Sequence, residues 1–408
     1  MQVRSLKEQY KIIDEILRVR LDTVLQPLMA ECGVDTWVIA AKEYNEDPLF
    51  KILTPAGFPT ARRLSILVFH NNNTTVDTYC VNLNYPELSK YYTLSWDPKT
   101  ETQMEALGKL LTKLDPKTIG LNYSDEFAYC DGMTVGIFEM FKKELPKEIV
   151  DKFVSADVLG VRYLETRSDL ELKYYSEVMA VAMDVITEAY SRKVITPGVT
   201  TCSDVEWFMK QKTNDLGLTY WFEPTIDVQR PSGLFSGDEV ILPGDMIHCD
   251  YGLVYLGLCT DTQRLGYILK TDEKEVPEFL VAGMEENNRF QDIVCSKYVV
   301  GDTGNDVFTQ SLAQAKDEGI QAMLYTHPLG NHGHAAGPTI GLFTNQNPIP
   351  VKGDVKLNDR TCYALELNTA RNLVCYDKVV WFYTEESVAF VDGQVKYLAS
   401  GREKIMVI

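Results

Sequence analysis

The nine cysteines of this 408-residue chain include no Cys-x-x-Cys pair, and an odd number cannot all be paired. That argues against a disulfide framework and for a reducing, cytoplasmic setting. No run of ~20 apolar residues occurs, so no segment is expected to span a bilayer. The stretch Met1 to Tyr10 lacks the apolar core of a targeting segment. Internal repeats and low-complexity tracts are missing too. Positive charge is in deficit: 40 basic against 58 acidic residues leave a net charge of −18, which disfavours nucleic acid or an anionic membrane as a partner. Gly and Pro are not enriched and hydrophobic residues make up 45 %, so a well-packed globular protein is expected. The length exceeds one ordinary core and predicts two domains. Histidine is scarce, with five in all, so its distribution is informative.

Acidic residues inside apolar strands carry the strongest signal. The segment Met246 to Asp261 has β-branched and apolar residues on both sides of a Gly-bounded middle, which reads as strand, turn, strand. A hairpin closing near Tyr255 and Leu256 puts Asp250 and Asp261 about opposite each other on one face, where opposed Cβ atoms lie ~5 Å apart. The pattern returns nearer the C-terminus. Tyr363 to Asn368 and Val379 to Phe390 read as strands joined by a turn at Asn372 to Asp377, with Glu366 and Glu385 about symmetric across it. Buried like charges at that distance repel and raise each other's pKa unless a cation lies between them. A metal ion is the simplest such cation.

Three of the five histidines crowd into Thr326 to Ile340, a Gly-rich stretch between the two acidic hairpins. A nitrogen ligand and a proton-handling imidazole belong there. His248, two residues before Asp250, shares its face. His70 has no such company and is expected to be structural.

The order Asp, Asp, His, Glu, Glu resembles that of the pita-bread metallopeptidases: methionine aminopeptidase, aminopeptidase P, prolidase and the non-peptidase relative creatinase. Pro243-Gly-Asp-Met-Ile-His-Cys-Asp250-Tyr-Gly252 is similar to the family's first aspartate strand. Cys259-Thr-Asp261-Thr-Gln-Arg264 resembles the second, and Leu365-Glu366 and Glu385-Glu386-Ser-Val388 resemble the two glutamate motifs. The likeness covers roughly residues 165 to 395. It implies an α+β protein: a C-terminal pita-bread domain with a curved antiparallel sheet (161–408), preceded by a smaller creatinase-like α/β domain (1–160). It also implies a homodimer. Two divalent ions (Mn, Co, Zn or Fe) would be held by Asp250, Asp261, His334, Glu366 and Glu385, ~3.5–4 Å apart. His332 is the alternative nitrogen ligand, because Gly333-His334-Ala-Ala-Gly337 fits the family's Gly-His-x-x-Gly setting and the upstream arrangement fits His332. Glu366 would move the water's proton and His327 would stabilise an oxyanion, so His327, His332 and Glu366 are the catalytic candidates.

Departures from the family are equally specific. Leu367 follows the first Glu where Pro is usual, and Asn345-Gln346 stands where the family carries a His-Glu pair. No histidine lies between Pro224 and Pro243, leaving Asp227 or Arg230 to face the pocket. The resemblance therefore implies an Xaa-Pro aminopeptidase or dipeptidase acting on short peptides. Two alternatives stay open: a creatinase-like C–N hydrolase or lyase on a small molecule, and a catalytically inactive binding module.

The N-terminal half carries no catalytic constellation. Apolar spacing predicts a helix over Leu6 to Cys32, strands at Thr36 to Ala41, Ser65 to Phe69, Thr78 to Asn82 and Thr118 to Asn122, and helices at Glu101 to Leu114 and Gly132 to Lys143. Residues 150–167 join the halves. A capping box at Ser168-x-x-Glu171 then starts a long helix, with further helices at Asp204 to Leu216, Glu275 to Ser296 and Asp302 to Glu318.

Overall fold

The computed structural model describes residues 3–373 and 378–408, so the expected turn at Asn372 to Asp377 lies largely outside the described residues. Two compact units are present, Arg4–Leu170 and Glu171–Ile408. Residue 160, the expected boundary, falls inside the helix Asp157–Glu165, and the units divide at the start of the next helix, Asp169–Ala189.

The first unit is built on a six-stranded sheet: β1 (Thr36–Lys42), β2 (Leu64–Asn71), β3 (Val76–Cys80), β4 (Thr93–Leu94), β5 (Ile119–Leu121) and β6 (Phe153–Ser155), in the order β4-β3-β2-β1-β5-β6. The sheet is mixed: β1 to β3 pair antiparallel, and β5 and β6 join in parallel. Helices Gln103–Leu114 and Val135–Glu144 cover it, packing Leu107, Leu111, Ile137 and Phe141 with Val38, Ala40, Ile66 and Val68. The helix expected from Leu6 onward forms, with a π-helical turn at Arg20–Val24. Pro27 cannot donate to the carbonyl four residues back, and the widened turn lies just ahead of it. His70 is bonded through Nδ1 to Thr36 Oγ1 at 2.8 Å and serves the sheet.

The second unit carries β7 (Thr219–Tyr220), β8 (Thr225–Arg230), β9 (Gly233–Ser236), β10 (Met246–Tyr251), β11 (Leu253–Tyr255), β12 (Leu258–Cys259), β13 (Thr262–Tyr267), β14 (Gln321–Leu324), β15 (His327–Pro328), β16 (Thr361–Leu373), β17 (Lys378–Val391), β18 (Gln394–Tyr397) and β19 (Met406–Val407). The main sheet runs β14-β16-β17-β13-β10-β8-β9, with β15 on β16, β18 on β17 and β19 on β13. Among the described residues its pairings are antiparallel except β13 with β19. Helices Asp169–Ala189, Cys202–Asp215, Glu278–Cys295 and Gly304–Asp317 match the sequence expectation closely. Thr201 with Asp204 and Thr303 with Asp306 form reciprocal capping boxes that set two of their starts.

One helix also grips a site strand. Asn287 Nδ2 donates to Phe382 O at 2.7 Å, Thr384 Oγ1 to Asn287 Oδ1 at 2.7 Å, and Gln291 Nε2 to Thr384 Oγ1 at 3.1 Å, all buried. The backbone approaches closely there, because a Cβ on Gly283 would lie 2.0 Å from the Phe382 ring.

The register of the first acidic hairpin follows from its turn. Leu256 and Gly257 both have positive φ, +55° and +75°, as a two-residue type I′ turn requires. Val254 pairs with Cys259 and Tyr255 with Leu258, and the same register continues to Asp250 opposite Gln263. Replacing Gly257 by Val should cost about 1–2 kcal/mol, since a Cβ at that φ meets the backbone. A urea unfolding midpoint measures it, and Gly257→Asn, which tolerates the left-handed region, should lose less.

Candidate metal centre

Side chains alternate across each strand, so one row of residues across β10, β13, β17 and β16 shares a face. That row is Asp250, Gln263, Glu385 and Glu366, with Gln263 opposite Asp250, Glu385 beside Gln263, and Glu366 directly opposite Glu385. Asp261 stands two residues before Gln263, on the same face. The turn lies one residue further along than the spacing suggested, which moves the cross-strand partner of Asp250 by two and preserves the face. Asp261 is anchored where the ladder lapses: its N donates to Ser387 Oγ at 3.3 Å, and that hydroxyl donates to Asp261 O at 2.8 Å.

The opposite face of the same strands is neutralised locally. Arg264 makes a two-pronged ion pair with Glu386, 2.6 and 2.8 Å, and reaches the Gln263 and Glu385 carbonyls. Arg230 is likewise committed, to Asp245 and Glu239, and Asp227 to His248. Neither arginine acts as a counter-cation for the inward acids.

Of the three clustered histidines, His327 rather than the expected His334 faces the carboxylates. Its Nε2 lies 3.5 Å from Asp261 Oδ2, 3.8 Å from Glu385 Oε1 and 3.9 Å from Glu366 Oε2. Pairing of β15 with β16 sets His327 opposite Ala364, two residues from Glu366 and on its face. Nδ1 lies 3.0 Å from Pro328 O, which can only accept, so Nδ1 carries a hydrogen and Nε2, whose lone pair is free in the neutral ring, is aimed at the acids. His334 is exposed and stands edge-on to His327, with ring centroids 4.6 Å apart, and to Trp221 at 5.1 Å. His332 lies on the intervening turn, where its carbonyl accepts from Gly330 N. Among the described residues, neither His332 nor His334 joins a converging group.

Two converging groups exist, Asp261–His327–Glu385 and Asp250–Glu366–Glu385. In each, one ligand atom per residue lies within 4.8 Å of the others, and Glu385 is shared. Asp250 Oδ1, Asp261 Oδ1, His327 Nε2 and both Glu385 carboxylate oxygens are buried without a hydrogen-bond partner. Two unit charges ~4 Å apart repel by on the order of 4 kcal/mol at a partly screened site. Burial, reinforced by the neighbouring acids, pushes the Asp250 and Glu385 carboxyls well above their usual range. Burial also lifts Glu366 to about 7, with Asp261 adding to it against the opposing pull of His327. Burial depresses His327, but Asp261 and Glu366 outweigh it and hold the ring above its ordinary value; burial and His327 both lower His334. Orphaned oxygens and one aimed imidazole are a donor set that fits a divalent cation.

Two neighbours escape sequence reading. Gln263 donates through Nε2 to Glu366 Oε1 at 2.8 Å and accepts from His248 at 3.0 Å. Its only signal is a long amide placed two residues after an acid on a buried strand. Trp221 is wedged beside the loop: Cβ atoms on Gly252 or Gly333 would each lie 2.2 Å from it, and its indole N–H donates to Thr260 O at 2.8 Å. Gln346, where the resemblance puts half of a His-Glu pair, spends its amide on Leu324 N and O and Leu342 O, which closes its own loop.

The model of metallopeptidase family M24 matches residues 173–391, more than half of the sequence. The chain belongs to metallopeptidase family M24. Its second unit is the family's pita-bread arrangement, a curled antiparallel half-barrel with helices. Comparison with curated proteins finds no match. Among solved structures, similar folds include an X-Pro aminopeptidase from Thermotoga maritima (TM-score 0.67, 17 % identity, 94 % of this chain and 100 % of that one). A second is an Xaa-Pro dipeptidase from Bacillus anthracis (TM-score 0.61, 16 % identity, 98 % and 100 % covered). A third is the N-terminal domain of a FACT complex subunit from Cicer arietinum (TM-score 0.56, 14 % identity, 97 % of each). At these identities the likeness is one of fold.

Ligands held protonated must lose those protons when a cation enters. Affinity for Mn2+ should therefore rise with pH through about 7, where Glu366 ionises, tenfold per pH unit for each proton displaced. Calorimetric titrations in buffers of different ionisation enthalpy count the protons, and a pH-independent affinity would contradict the shifts.

Proposed function

We propose that the chain is a metal-dependent peptidase of the Xaa-Pro aminopeptidase or dipeptidase type, acting on short peptides with two divalent ions. The observation that carries this reading is the set of buried, unpartnered ligand atoms on Asp250, Asp261, His327 and Glu385 around one point. Family membership and the peptidases among the similar folds support it.

In this reading Asp261, His327 and Glu385 hold one ion, and Asp250, Glu366 and Glu385 the other. Bound there, the ions would acidify a water and polarise the scissile carbonyl. Glu366 has one oxygen tied to Gln263; in this reading it would take the water's proton and pass it to the leaving nitrogen. His334, exposed and held neutral, can donate one hydrogen bond to the carbonyl oxygen. Trp221 stands edge-on against His334, with ring centroids 5.1 Å apart.

A second reading, a creatinase-like C–N hydrolase acting on a small molecule, is favoured by one observation. Gln346 is consumed in closing its loop, so the His-Glu pair of the resemblance has no counterpart there.

Metal content by mass spectrometry and release of the first residue from a panel of Xaa-Pro peptides test the proposal together. Two ions per chain are expected in the parent, and an Asp250→Ala, Glu366→Ala double variant should lose the ion those two residues hold, together with peptide turnover. Glu366→Ala alone should lower kcat on the order of 10²–10⁴-fold. Bound metal with no peptide turnover would turn the assignment to small-molecule chemistry.

A further inference from the structure

Gln263 occupies the one position in the acidic row that carries no charge. It is buried, and its amide is engaged at both ends, with Nε2 on Glu366 Oε1 and Oε1 on His248 Nε2. Its orientation is dictated: an oxygen of Glu366 accepts, so the amide nitrogen faces it and the amide oxygen faces His248. His248 in turn lies with Nδ1 2.8 Å from Asp227 Oδ2, directly across from it on β8. Residues on four strands, β8, β10, β13 and β16, are thus joined by one hydrogen-bonded strut, Asp227–His248–Gln263–Glu366, which passes over β17.

Glu366 differs from its three acidic companions. Each of them leaves at least one buried oxygen without a partner, whereas Glu366, a fifth exposed, has one oxygen held by Gln263. It is also directly opposed by Glu385, a like charge that favours rotation of its three flexible torsions away from the centre. A neutral donor at residue 263 counters that rotation without adding charge.

We propose that Gln263 is a positioning residue that pins one oxygen of Glu366 and so presents only the other to the centre, with Asp227 acting through His248 to keep the amide in that orientation. This rests on the two-ion reading above. A group that orients a ligand from behind changes metal affinity by about ten- to a hundredfold. The pin bears on one converging group only, because Asp261 and His327 lie outside the strut.

Mn2+ calorimetry on the parent, Gln263→Met and Asp227→Asn chains, with metal-free melting curves, tests the strut. Expected are two ions on the parent and about ten- to a hundredfold weaker binding of one ion in Gln263→Met, with the other within a few-fold. Asp227→Asn should move the same ion in the same direction by less, at near-parental metal-free melting. It touches no ligand, so it serves where Gln263→Met folds poorly. Wherever Xaa-Pro peptides are turned over, Gln263→Met should lower kcat with little change in KM. Both variants binding both ions within twofold of the parent would overturn the positioning role, as would equal weakening of both ions with lowered melting. A parent that binds no Mn2+ overturns the two-ion reading, and the positioning role with it, and that failure appears in the parent alone.

Discussion

Four carboxylates buried around one point are an unstable arrangement in the absence of a cation, and the second unit is organised around that fact. Nearby guanidinium groups could have relieved the repulsion, yet Arg264 is bound to Glu386 and Arg230 to Asp245 and Glu239. Protons relieve it in part, as the raised Glu366 and Glu385 carboxyls attest. The chain keeps its own positive charges behind or beside the site and leaves the centre electrically unfinished.

Such an arrangement demands a rigid frame, because flexible like charges would swing apart. The frame is the ladder itself. Adjacent residues on one strand have opposite duties: Gln263 and Glu385 face the centre, while Arg264 and Glu386 pair behind it. The hydroxyl of Ser387 holds Asp261 where strand pairing lapses. Cys259 N donates to Gly330 O at 2.7 Å, tying the aspartate hairpin to the histidine loop.

Much of this was legible in the sequence. Helices announced themselves by periodicity and by capping boxes, and acids inside apolar strands marked the quartet because burial of unpaired charge is rare. What the sequence could not convey was register and choice among equals. The Asp250–Asp261 hairpin needed the positive φ of Leu256 and Gly257 to show that Gln263 is the cross-strand partner. The His-x-x-Gly pattern occurs twice, at His327–Gly330 and His334–Gly337, and only the pairing of His327 with Ala364 brings one of them against the acids. Gln263 was silent because a neutral amide on a strand has many uses. Asn345-Gln346 read as a lost pair; Gln346 proves to be a loop clasp.

The adjacent acids Glu385 and Glu386 make β17 ambiguous by composition. A slip of one residue would still offer one carboxylate, either Glu386 to the centre with Ser387 against Arg264, or Glu385 to Arg264 with Thr384 at the centre, so charge distinguishes the alignments only in part. The distinction falls to a neutral trio remote from the chemistry. Thr384 hydrogen-bonds Asn287 and Gln291, and after a slip that place would hold either Tyr383 or Glu385, neither of which fits a buried amide pair. Fidelity of the centre is thus enforced by uncharged groups on a helix, so drift in Asn287 or Gln291 would act as a frameshift in space, leaving every acid present and Glu385 out of its place.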